Sequence, residues 1–185
     1  MKFRDKIIFA SLLILLAVFS RLIPHLPNFT PIAAISIFIS AYISKKYFWL
    51  PVLALFLSDI FIGTYDIRLM LVVYVSFIVI GFFGYFLREK RNIFRVLGVS
   101  FFGSLFFFLT TNFAVWITSS WYQKSLFGLL DCYALAIPFF RNMVMGDIYY
   151  LGIIIVLFEF VLNNGYEKIK IMFFDFKNKT RRAII

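Results

Sequence analysis

Apolar residues run along this chain in six long blocks, separated by short polar, basic or proline-rich breaks. The blocks cover Ile7 to Leu22, Pro31 to Ser44, Tyr47 to Tyr65, Arg68 to Leu87, Val96 to Thr118 and Ala136 to Leu162. They are apolar on most faces rather than along one stripe, which is the pattern of helices that face lipid. The pattern predicts an all-α integral membrane bundle of six transmembrane helices. It forms a single transmembrane domain over residues 1–185, ending in a basic cytoplasmic tail at 163–185. Pro51 falls in the first turn of the third block, where proline is tolerated, and Pro138 is expected to play the same part in the sixth.

The break between the first two blocks stands out. It reads Arg21-Leu-Ile-Pro-His-Leu-Pro-Asn-Phe-Thr-Pro31 and holds the only histidine of the chain. Its prolines forbid a continuous helix and push the residues before them towards extended backbone. Thr30 is expected to cap the next helix, with Pro31 in its first position. That helix ends near Ser44, before Lys45 and Lys46. At ~1.5 Å rise per residue it spans roughly 21 Å, short of the ~30 Å hydrocarbon core. Part of the proline segment is therefore expected at membrane depth. Irregular backbone survives there only where it packs on protein or lines a cavity.

Composition strengthens the membrane reading. The 185 residues are 63% hydrophobic, 22% aromatic and only 15% charged, with mean hydropathy +0.93. A soluble domain of this length cannot bury so much apolar surface. The net charge of +10 does not point to nucleic acid, because the basic residues sit in short clusters between apolar blocks. Of the 19 Lys and Arg residues, only Arg21, Arg68, Lys124 and Arg141 fall on one side of the predicted bundle. The rest, from Lys2 to Lys6, Lys45 and Lys46, Arg88 to Arg95, and the tail, fall on the other. The positive-inside rule then puts both termini in the cytoplasm of a multi-pass membrane protein, N-in and C-in. The first block reads as a retained helix rather than a signal peptide, with no small-residue cleavage site after it. The basic tail is expected on the anionic lipid surface, unless it is only a solvated extension. Ser119 to Leu135, with Trp121, Tyr122 and Tyr133, suits an interfacial segment on the outer side.

Ionisable residues at membrane depth are costly, about 2.5–3.5 kcal/mol each on insertion scales, and point to function. Asp59 in the third block and Asp147 in the sixth qualify. Thr110, Thr111 and Asn112 are similarly deep in the fifth. All lie in the outer half, as do His25, Asn28, Arg141 and Asn142, whereas the inner half is nearly free of polar side chains. This asymmetry argues for a pocket open to the outside and closed below. His25, Asn28 and Thr30 are expected at its mouth, where the start of the second helix favours an anionic group. Asp59 and Asp147 accept hydrogen bonds or balance positive charge. Thr111 belongs to the same polar group, as does Asn142. Asn112 orients the ligand, and Trp116 or Tyr133 stacks on it. The mixed charge suggests a polar heterocycle or a zwitterion. The competing readings are structural: Asn112 as a packing hydrogen bond, the carboxylates paired with Arg21 or Arg141, Trp116 as an interface anchor, and the Phe106-Phe107-Phe108 run as lipid-facing or core.

No catalytic or metal site is expected. One histidine and two carboxylates from three segments make a poor zinc set, and Cys132 is the single cysteine. Neither a phosphate loop nor a Ser-His-Asp order is present, so no cofactor and no enzymatic activity are expected. An intramembrane enzyme stays as a third reading behind a ligand-free scaffold of the cell envelope. Small residues recur at Ser36, Ser40 and Ser44, at Gly81 and Gly84, and at Gly98 and Gly103, where they permit close helix approach, or docking to another membrane subunit.

Several motifs together carry a resemblance. Pro24-His25-x-Pro27-Asn28-Phe29-Thr30-Pro31, Ser58-Asp59, Thr111-Asn112-Phe113-x-x-Trp116, Cys132-Tyr133, and Pro138-Phe139-Phe140-x-Asn142 with Gly146-Asp147 resemble an uncharacterised bacterial inner-membrane family. That family is similar to the substrate-binding S components of energy-coupling factor (ECF) transporters. The resemblance covers roughly Arg21 to Leu162. It implies capture of a small polar molecule, vitamin-like or a precursor. The implied partners are membrane lipid, a transmembrane coupling protein and ATPase subunits, and no nucleic acid. Many S components dock through an alanine-x-x-x-alanine face on the first helix. Here that helix offers only Ala10 and Ala17, and the small-residue face lies on the second.

Overall fold

A computed structural model of the protein describes residues 3–88 and 93–162. The basic tail, Lys90 and Arg91 lie outside the described residues. Six α-helices follow one another: α1 (Phe3–Leu22), α2 (Ile32–Phe38), α3 (Leu50–Ile62), α4 (Ile67–Phe83), α5 (Ile93–Thr118) and α6 (Leu126–Leu162). No strand occurs among the described residues. Three stretches, Ile67–Leu87, Phe94–Thr118 and Leu126–Phe160, are long and apolar enough to cross a membrane. This is a membrane protein, built entirely of helices.

The short α2 is its central post. It begins after Pro31, whose carbonyl accepts the first helical bond from Ile35 N at 2.8 Å. Thr30 does not cap it, contrary to expectation: Pro31 holds the cap position and no side chain bonds there. The helix continues as a π-turn over Ile39–Ile43, closed by Ser44 N to Ile39 O at 3.0 Å. Ser44 then turns extended, and its hydroxyl accepts from Lys46 N. The end near Ser44 is therefore the predicted one. Every residue from Ile32 to Ile43 is buried. This helix touches α4 and α6 most, and α1, α3 and α5 as well, so it is enclosed by protein rather than facing lipid. Ser36 and Ser40 are buried with it, which makes the small-residue face internal packing. Gly84 shows how close that packing is. A Cβ there would fall 2.3 Å from the Ile37 carbonyl oxygen, so no other residue fits without shifting backbone.

The bundle has two different ends. One holds the N-terminus of α1, the α2–α3 connection with Lys46, and the α4–α5 connection with Arg88. There Arg88 Nη1 donates to Ser40 O at 2.9 Å. Next to it Phe9, Phe38, Tyr42 and Phe158 interlock, with ring centroids 4.8–5.7 Å apart. This aromatic cluster joins α1, α2 and α6 within the basic half of the bundle. The opposite end carries the proline segment, the α3–α4 loop and the α5–α6 loop. At the α3–α4 loop, Gly63 takes φ +105° to end α3, and the Asp66 side chain caps α4 through Arg68 N and Leu69 N.

The last helix departs from expectation. α6 starts at Leu126, not at Ala136, and Pro138 lies inside it. Proline there removes one amide bond and crowds the carbonyl four residues back. Packing on α5 holds the extra turns in place: Tyr133 Oη donates to Leu109 O at 2.8 Å, and the Tyr133 ring lies 5.4 Å from Phe108. The predicted interfacial segment thus shrinks to a short loop before Leu126. There Trp116 Nε1 donates to Gln123 O at 2.9 Å, and the Lys124 ammonium donates to the Trp116 and Ser119 carbonyls at the end of α5.

Candidate functional site

The polar residues of the non-basic half sort into two buried carboxylate sites and one cavity. The first carboxylate is Asp59, near the end of α3 and 3% exposed. Arg21, in the last turn of α1, brings Nη2 within 2.7 Å of Asp59 Oδ1. Its Nη1 donates to Leu55 O and to the Ser58 hydroxyl. From α4, Tyr74 donates its hydroxyl to Asp59 Oδ2 at 2.7 Å. An arginine, a phenol and a carboxylate thus tie α1, α3 and α4 together. Arg141, the other arginine proposed as a partner, is exposed on α6.

Asp147 on α6 is 1% exposed. Its polar partner among the described residues is Ser104 of α5, whose Oγ lies 2.7 Å from Oδ2. Among the described residues no Lys, Arg or His pairs with it. It borders a small void of about 20 Å³, together with Asn28, Thr30 and Phe107.

A cavity beside that void holds about 330 Å³ and lies at the non-basic end, lined in part by Pro27, Asn28, Tyr65 and Val115. Phe107, Phe108, Thr111, Asn112 and Val115 of α5 form one wall. Phe139, Phe140 and Met143 of α6, Leu69 and Val73 of α4, Tyr65, Pro27 and Asn28 complete it. The wall is mostly aromatic and aliphatic, with Asn28, Tyr65, Thr111 and Asn112 as its polar points and no charged side chain. Small-molecule sites are commonly of this kind and start near this volume. The small void shares Asn28, Phe107 and Met143 with the cavity, so Asp147 sits just behind its wall.

The proline segment forms the rim. Asn142 Nδ2 donates to Pro27 O at 3.1 Å, fixing the segment to α6. Phe29 packs on Gly146, where a Cβ would meet the ring at 3.2 Å, and lies against Tyr149 and Tyr150. Between these anchors Asn28 adopts φ +62°, a left-handed conformation that asparagine tolerates better than most residues. The backbone thereby turns at the rim and Asn28 reaches both voids. The irregular proline segment lines the cavity through Pro27 and Asn28.

The family is known from sequence. Residues 1–169 match the model of DUF6580, a family of unknown function. The chain belongs to the DUF6580 family. No curated protein and no solved structure matches it.

In this DUF6580 protein the predicted polar residues are only partly brought together. Asn28, Thr111 and Asn112 line the cavity, and Thr30 and Asp147 line the void behind it. Asp59 stands outside the wall, held by Arg21 and Tyr74. Trp116 spends its indole on the α5–α6 loop, and Tyr133 its hydroxyl on α5, so neither stacks into the cavity. His25 is exposed, with Nδ1 2.7 Å from Ile23 O, and Asn142 anchors the rim. Within the cavity, Thr111 and Asn112 donate to carbonyls of their own helix, at Phe107 O and Phe108 O, which leaves the Asn112 carbonyl oxygen as the acceptor to offer a ligand. The aromatic wall was missed. Helical spacing contains it: Phe107, Thr111 and Val115 share one face of α5, and Phe139, Met143 and Asp147 share one face of α6. Ser104, eight positions before Asn112, follows from the same register.

Proposed function

We propose that this chain is the substrate-binding membrane subunit of an uptake system for a small polar molecule, vitamin-like or a precursor, similar to an ECF S component. The cavity of about 330 Å³ under the proline rim carries this reading. It lies at the end opposite Lys46 and Arg88, which the positive-inside rule assigns to the outer face of a bacterial inner membrane, with both termini inside and six crossings. The Phe9, Phe38, Tyr42 and Phe158 rings interlock between α1, α2 and α6 in the half beneath it, which suits capture followed by release through a conformational change rather than a continuous pore. The uncharged, aromatic wall favours a neutral heterocycle with one or two hydrogen-bonding groups over a zwitterion. Asn28, Tyr65 and Asn112 supply those bonds, and Phe107, Phe108 and Phe140 pack against the ring. A transmembrane coupling protein and ATPase subunits supply the energy.

Gentle purification from native membranes, followed by mass spectrometry of proteins and small molecules together, tests this. Co-purification of an ATPase pair, a coupling membrane protein and a heterocyclic small molecule is the expected result. Cell-envelope proteins in their place, with no bound small molecule, would overturn it. The Arg21–Asp59–Tyr74 tie favours the scaffold reading for that corner of the molecule alone: it bonds helices and lines neither the cavity nor the void behind it.

A further inference from the structure

Asp147 is the buried ionisable group that the uptake reading leaves unused, and its surroundings are unusual for a carboxylate. The Ser104 hydroxyl stands 3.0 Å from Ser100 O on its own helix and 2.7 Å from Asp147 Oδ2. A hydroxyl has a single proton to donate. Serine in a helix commonly gives that proton to the carbonyl one turn back. The shorter contact then needs a proton from the other side, and only the carboxyl can supply it.

The neighbours agree. Phe77 of α4, Ala33 of α2 and Phe107 of α5 border the same void. No residue of α2 is ionisable, and neither is any residue of α5 from Val96 to Thr118. On α4, Tyr74 is committed to Asp59. On α6 itself, Arg141 and Tyr149 are exposed and Tyr150 packs on Phe29. On the rim, His25 is exposed. Among the described residues no cation balances Asp147, and a buried carboxyl in that position takes up a proton rather than keep an unpaired charge. The void of about 20 Å³ is enough for one water molecule, and Asn28 and Thr30 give that water polar partners.

We propose that Asp147 is a proton-binding site: a carboxylic acid that donates to Ser104 and exchanges its proton through a water held between Asp147, Asn28 and Thr30. Asn28 borders the ligand cavity too, so protonation and ligand occupancy are linked. That link rests on the uptake reading; the proton site does not.

Infrared spectroscopy of the ligand-free full chain in lipid nanodiscs at neutral pH tests the proposal. The expected result is a carbonyl stretch of a protonated carboxylic acid that shifts on labelling with carboxyl-¹³C aspartate. Asp147→Asn abolishes that band, Asp59→Asn leaves it, and Ser104→Ala moves it by removing the hydrogen bond. Should Asp147→Asn fail to fold, the Ser104→Ala shift decides alone. Absence of the band in the wild-type protein, or its survival in folded Asp147→Asn, overturns the site. So does its loss when sodium chloride replaces choline chloride, which would make this a sodium site instead.

Discussion

Asp59 and Asp147 are both buried in one membrane bundle, and they are built in opposite ways. Asp59 has an arginine at 2.7 Å and a phenol donating at 2.7 Å. Asp147 has a single hydroxyl and a void large enough for one water. The first is paired because α1 ends in Arg21, placed to meet the last turn of α3. The second has no cation beside it among the described residues, which is why it is proposed to be neutral. Two residues that look alike in sequence therefore have different surroundings: one fastens three helices, and the other borders a small void behind the cavity wall, the place of the proposed proton site.

The contrast can be broken first at Asp59. Asp59→Ala leaves the Arg21 guanidinium without its charge partner, which costs on the order of 3 kcal/mol. Thermal unfolding in detergent should show the largest loss of all variants here. The double variant Arg21→Met with Asp59→Leu should recover most of it, because an apolar pair replaces the ion pair. A single variant as stable as the wild type would remove the fastening role.

Tyr74→Phe comes next. It deletes one hydrogen bond to a charged acceptor, worth about 1.5 kcal/mol, and the same unfolding assay should register roughly half the effect of Asp59→Ala. An unchanged midpoint would mean that Arg21 alone holds the carboxylate. The smallest change belongs to Asp147→Asn. Its amide replaces the acid as donor to Ser104, so stability should stay within about 0.5 kcal/mol. A loss as large as that of Asp59→Ala would show that Asp147 is charged in the folded protein, and the distinction between the two sites would fall.

Much of this was legible in the residues, but unevenly. The prolines and the Lys45-Lys46 pair bounded α2 correctly, and the polar residues of Asn28, Asp59, Asn112 and Asp147 do gather in one half. The full enclosure of α2 was not legible. In a membrane protein the interior and the lipid are both apolar, so Ile32 to Ile43 carry no amphipathic stripe to separate them. The same physics hid the cavity wall, since Phe107 and Phe140 read alike whether they meet lipid, core or ligand. Pro138 misled in another way. Its local cost marks a helix start, yet contacts of Tyr133 with Leu109 and Phe108 outweigh it and carry α6 back to Leu126. Pairing of Arg21 with Asp59 was one of several options, and only the packing of α1 on α3 selects it.

The central claim is that the cavity under the proline rim holds a small molecule. Native mass spectrometry of the gently purified chain, wild type beside Val115→Trp, tests it most directly. Val115 is half-buried on the cavity wall, so tryptophan there fills the space without disturbing the Arg21–Asp59 tie. The account predicts a bound small molecule on the wild-type protein and its loss from a folded Val115→Trp protein. A wild-type protein that carries no such mass, or a variant that carries it equally, would contradict the account.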